Sequence, residues 1–274
     1  APQLGPVGAL TATLSSDPRV NEAIGAAAPL LLIGGGTFLI FLFFHWLFQE
    51  PKNYGLIGEE FFHRQGVWFY AVVSILLTLI VWFALHKDPY MAFGAVVGST
   101  AFFITHGFKA NAEKQEKELM KAGLSDVAKI FYLEVIDATF SIDGVLGAFA
   151  FTLSVPLILL GNGLGSIIVR QLTMHNIERI KLLVYLKNGA MYSILALGTI
   201  MVLDSFGYHI PAWLSPVVTT AIVVYFFVLS LREKNASNKA AKTSENHVEA
   251  TREPMGSADR VSRPQETHED VAAG

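Results

Sequence analysis

The residues best placed to do chemistry sit in one otherwise apolar stretch, 130–153, which contains Glu134, Asp137, Ser141 and Asp143. A charged side chain at mid-bilayer depth costs at least ~2.5–3.5 kcal/mol, so such acids are expected to face a partner or a wet cavity. At about 100° per residue in a helix, Glu134, Asp137 and Ser141 fall on one face and Thr152 returns to it. Two carboxylates and two hydroxyls along one stripe are hard oxygen ligands, suited to Mg, Ca or Mn rather than to soft metals. Asp143 lies on the opposite side of a straight helix. Either it lines a second surface or the helix unwinds there. Gly144 follows directly, and Asp-Gly is a turn signal, which favours an unwound segment of the kind that exposes carbonyls to ions in transporters.

Competing roles exist for each acid. Glu134 is only five residues past Lys129 and also suits an interfacial charge. Asp137 is deeper. Asp143 would need a basic partner from another span, and the other spans contain almost no Lys or Arg. Carboxylates without nearby cations favour a bound cation or a proton, and a carboxylate that takes up a proton releases its ion, which makes proton exchange a natural coupling. His45 and His106 lie near span ends, where packing and ligation explain them equally well. His63, His247 and His268 have no metal spacing and read as surface residues. Gly161-Asn162-Gly163-Leu164-Gly165 lacks the G-x-G-x-x-G spacing of a dinucleotide loop and sits in an apolar run. Close packing or a second unwound segment fits it better, with Asn162 as a supporting neutral ligand. Gly34-Gly35-Gly36 and Gly94-x-x-x-Gly98 read as small-residue contacts between helices.

The elements that must position these residues follow from composition. Of 274 residues, 52% are hydrophobic and 16% charged, against about 25% charged in a typical soluble domain. With no cysteine, the chain is neither a disulfide scaffold nor a thiolate metal site, and a net charge of −3 argues against nucleic-acid binding. A bilayer core about 30 Å thick needs roughly 20 apolar residues per helix. Seven stretches qualify as spans: 26–48, 66–85, 91–105, 130–153, 156–169, 182–203 and 211–231, the third and fifth being short. The expected fold is an all-α polytopic bundle.

Lys and Arg alternate across the loops. Arg19 and Lys87 are alone on one side. Lys52 and Arg64, then Lys109, Lys114, Lys117, Lys121 and Lys129, then Arg170, Arg179, Lys181 and Lys187, and finally Arg232 and Lys234 fall on the other. The positive-inside rule makes the second set cytoplasmic. It leaves residues 1–25 as an extracytoplasmic lead-in, 26–231 as the core and 232–274 as a cytoplasmic tail. Residues 109–129 read as a cytoplasmic amphipathic helix, with Glu113 and Lys117 in a favourable i,i+4 pair. The tail lacks aromatics and is expected to be disordered.

The run from Leu133 to Ala150, with Asp137-x-x-Phe140-Ser141-x-Asp143 at its centre, resembles the TerC-like integral membrane proteins, closest to a bacterial branch known mainly as a domain of unknown function. The resemblance extends to Gly35-Gly36-Thr37-Phe38-Leu39, to Val169-Arg170-Gln171-Leu172-Thr173, and to Tyr185-Leu186 with Gly189-Ala190. It implies a multi-pass protein of the inner (plasma) membrane with a role in metal-ion homeostasis, such as manganese or calcium export or tellurium resistance. It also implies ion ligation by Asp137 and Asp143, supported by Ser141 and Glu134. The family's first acidic motif, Glu-x-x-Leu-Ser-x-Asp-Asn, does not occur here. Since the chain opens on Ala, an upstream repeat is expected to have been lost or to lie outside it. Lys187, Asn188 and Met191 stand where acidic and histidine residues would be expected.

The resulting expectation is a divalent cation transporter, not an enzyme, with the cation as substrate and no firmly implied cofactor. Its partners would be membrane lipid and the metal ion, with no nucleic acid, and self-association stays open. A non-transporting scaffold acting through the amphipathic helix and tail is the alternative. An intramembrane aspartyl hydrolase is disfavoured, because Asp137 and Asp143 stand about 9 Å apart by helical rise, too far to share a proton.

Overall fold

The computed structural model describes residues 18–119, 144–145, 147–148, 151–152, 154–181, 183–208 and 210–252. All regular structure among them is helical: α1 (Pro18–Gln49), α2 (Glu59–Arg64), a 3-10 turn (Gly66–Trp68), α3 (Phe69–Lys87), α4 (Pro89–Leu119), α5 (Val155–Lys181), α6 (Leu186–Ser205) and α7 (Leu214–Arg252). Five segments are long and apolar enough to cross a membrane: Gly25–Gln49, Gly66–Lys87, Pro89–Phe108, Leu186–Ser205 and Leu214–Lys234. The protein is a helical membrane bundle. The apolar part of α5, Val155–Gln171, is shorter, as its sequence predicts. Most of the fourth expected span, 130–153, lies outside the described residues.

Two boundaries differ from expectation. The third apolar stretch is not short: α4 runs without a break from Pro89 to Leu119 and absorbs the first half of the expected amphipathic helix. Ala110, Ala112, Lys114, Gln115 and Lys117 are strong helix formers, and no proline interrupts them, so propensity carries the helix past its apolar part. Likewise α7 continues to Arg252, past residue 232, where composition predicts a disordered tail. Ala, Lys and Glu recur through 234–250 and favour helix even where nothing apolar is available to bury. The chain divides into two compact units, Ala1–Ser230 and Leu231–Gly274.

α1 is the centre of the first unit and packs against both α4 and α6. Its glycines set the approach. A Cβ built on Gly34 would lie 2.9 Å from the Gly94 carbonyl oxygen, and one on Gly98 would collide with the Gly34 backbone. A Cβ on Gly36 would lie 2.7 Å from the Gly198 carbonyl oxygen. The small-residue reading of both glycine patterns therefore holds, and Gly198 completes it on α6. Around this seam an aromatic core forms from Phe38, Phe41, Phe43, Trp46, Phe69 and Phe102. Phe102 meets Phe38 and Phe41 edge-to-face, with centroids 5.9 and 5.8 Å apart. The Gly161/Gly163/Gly165 cluster behaves otherwise. α5 is unbroken there, and a Cβ at any of the three meets nothing within 4 Å among the described residues.

Gly36→Leu should destabilise the bundle by about 1–3 kcal/mol, the usual cost of overpacking. Gly161→Ala should leave stability unchanged or slightly raised. Denaturant unfolding in detergent micelles, followed by near-UV circular dichroism, measures both.

Candidate functional site

Charged residues in an apolar bundle need internal partners, and the α1–α2 loop brings several together at one end of α1 and α6. The C-terminus of α1 leaves carbonyls unsatisfied. Lys52 folds back to donate to two of them, Trp46 at 2.9 Å and Leu47, while its ammonium lies 4.0 Å from the centre of the Trp46 ring. Gly58 adopts a left-handed conformation (φ 107°), open to glycine at no steric cost, and turns the chain into α2.

The first residue of α2, Glu59, is only 2% exposed. Its Oε2 accepts from the Gly55 backbone N–H at 2.8 Å and from Asn188 Nδ2 at 3.0 Å, and its Oε1 accepts from the Tyr192 hydroxyl at 3.1 Å. Asn188 Nδ2 also donates to the Asn53 carbonyl at 2.9 Å. A buried carboxylate with three donors and a nearby ammonium is electrostatically satisfied. Burial lowers Lys52 from its ordinary 10.5 to about 8, although Glu59 and Glu50 pull the other way.

A second group adjoins the first. Lys187, at the start of α6, donates to Glu50 Oε2 at 2.6 Å, and Glu50 Oε1 lies 3.7 Å from His45 Nδ1. The His45 and His106 rings have centroids 3.9 Å apart, and Phe69 and Phe102 flank His45. Here the two histidines of the span ends meet, joining α1 to α4. Among the described residues, no three His, Asp or Glu side chains converge on a point that would hold a metal.

Glu134, Asp137, Ser141 and Asp143 lie outside the described residues, and so does the expected unwinding at Asp143. Gly144–Val145 and Gly147–Ala148 are helical. Thr152 is half-buried, and its hydroxyl accepts from the Ser154 N–H at 3.1 Å, satisfying a backbone group just ahead of α5. Asn162 is exposed on α5. Glu59 and Asn188 had no assigned role in the sequence. Glu59 sits among ordinary loop charges there, and its partners on α6, Asn188 and Tyr192, are more than 120 positions away. The one local signal was a polar pair, Lys187-Asn188, at the entry to an apolar span.

Residues 1–238 match the family described as Protein of unknown function (DUF475). No curated protein and no solved structure matches the chain.

Two outcomes follow from the loop geometry. Glu59→Ala strands the Asn188 and Tyr192 donors and should destabilise the protein by about 1–3 kcal/mol in micelle unfolding, the cost of leaving a buried donor unpaired. Amine acylation followed by mass spectrometry should give Lys52 a midpoint near pH 8, well below its ordinary 10.5. Because folding lowers the Lys52 value, the unfolded chain binds more protons between pH 8 and 10.5. The contribution of this group to stability therefore improves as pH rises through that window.

Proposed function

The chain belongs to the DUF475 family, and on that premise we propose that it is a multi-pass transporter or exporter of divalent cations, of the Mn or Ca class. The observation that carries this reading is the presence of Asp137 and Asp143, with Glu134 and Ser141, in an apolar stretch whose neighbouring spans offer almost no Lys or Arg. Their oxygen atoms suit a hard cation, and the absence of cysteine from the sequence leaves no thiolate to compete for the ion. The resemblance of the Asp137–Asp143 segment to TerC-like proteins supports the same class. In this reading the bundle has seven spans in the inner (plasma) membrane, with the N-terminus outside and the Lys- and Arg-rich loops in the cytoplasm. The ion enters at mid-membrane, and helices rock around it. In this reading Thr152 and Asn162 are supporting ligands.

A second reading, a non-transporting scaffold, draws support from the helical extensions of α4 to Leu119 and α7 to Arg252, which offer polar helix outside the apolar windows. The two readings separate in reconstituted vesicles. Transport requires that Asp137→Asn combined with Asp143→Asn abolish Mn²⁺ or Ca²⁺ flux, while deletion of residues 235–274 leaves it intact. Flux that is indifferent to both aspartates defeats the transporter reading.

A further inference from the structure

The segment between the first two apolar windows has two unlike sides. Its inner side is polar and pinned: Glu59 is bonded to Gly55, Asn188 and Tyr192, and Lys52 is bonded to the α1 carbonyls. The Phe62 ring packs on Phe48 of α1, with centroids 5.5 Å apart. Beside the exposed Glu60–Arg64 pair and Gln65, its outer residues are apolar. Ile57 is fully exposed, Val67 is 90% exposed, and Phe61 and Trp68 are just over 60% exposed. These residues run directly into Tyr70, Ile75, Leu79, Trp82 and Phe83, the exposed apolar face of α3.

We propose that residues 57–68 lie in the membrane surface, with Ile57, Phe61, Val67 and Trp68 seated in the headgroup and upper acyl region of the lipid. The proposal rests on the reading of the apolar helices as membrane spans. Three observations commit it to lipid. The polar staples fix the segment at the level where α1 ends and the α3 window begins, so it cannot extend into bulk water. Its exposed apolar residues are continuous with the lipid-facing side of α3. The composition is that of an interfacial belt, an aromatic and aliphatic face that includes Trp68 and Tyr70. Charge specifies the lipid further. Glu59 is buried and Glu60 pairs with Arg64, so the segment has no basic excess to recognise anionic headgroups. Seating is therefore driven by apolar burial and does not require anionic lipid.

The sequence contains no cysteine, so single cysteines can be spin-labelled in the full chain. Ile57→Cys, Phe61→Cys and Val67→Cys would be reconstituted in phosphatidylcholine vesicles alone. Collision rates of the nitroxide with oxygen and with a water-soluble nickel chelate would then be compared. Ile57 is fully exposed, so its replacement removes no packing and guards against misfolding of the others. The expected result is an oxygen-to-nickel ratio severalfold higher at 57, 61 and 67 than at Glu60→Cys, and unchanged by added salt. Ile75→Cys and Phe83→Cys test the spans themselves. If these two read as bilayer while 57, 61 and 67 match Glu60→Cys, the surface assignment is overturned and the spanning reading survives. If all five read as water, both fail. Labels at 57, 61 and 67 that are shielded from both agents would mean a protein partner covers the segment, which also overturns the lipid assignment.

Discussion

Among lipid tails, helices gain nothing by hiding apolar side chains from one another, so close association has to come from backbone proximity and shape. α1 satisfies this on two sides at once. Gly34 lets α4 approach through Gly94 and Gly98, and Gly36 lets α6 approach through Gly198. The aromatic core, the meeting of His45 with His106, and the reach of Lys187 to Glu50 all presuppose that three-helix seam. A side chain at Gly34 or Gly36 would push α4 or α6 away and separate pairs that now sit within a few ångströms.

Polar groups are treated in the opposite way. At the end of the seam, Glu59 and Glu50 take partners from a distant part of the chain, and Lys52 takes nearby ones. Glu59 is the hub: it ties the loop to itself through Gly55 and to α6 through Asn188 and Tyr192. Lys52 closes the frayed end of α1. A buried carboxylate held by three donors in this way anchors the loop to α6. The acids of the 130–153 stretch differ in kind, since their sequence neighbours are apolar and the adjoining spans supply few cations. The cation proposal rests on that contrast.

The apolar windows were legible because the membrane demands a long run of apolar residues, a local property of composition. The glycine seams were legible in part: Gly34, Gly36, Gly94 and Gly98 stood out as small residues, whereas Gly198 did not, and the cluster at Gly161, Gly163 and Gly165 made no such contact among the described residues. Helix ends were less so. Apolarity marks where a bilayer ends, whereas α4 and α7 run on through residues of high helix propensity, and both outlast their apolar windows.

By itself, the sequence determined that the protein is a helical membrane bundle and pointed to Gly34, Gly36, Gly94 and Gly98 as helix contacts. It also singled out Asp137 and Asp143 as the acids hardest to explain by packing. Only the tertiary structure decided that Glu59 is buried, that Asn188 and Tyr192 satisfy it, and that His45 and His106 share one contact. The physical reason is range. Hydropathy and propensity are summed over neighbours along the chain, whereas the cost of a buried charge depends on donors that arrive from other helices once those helices have packed.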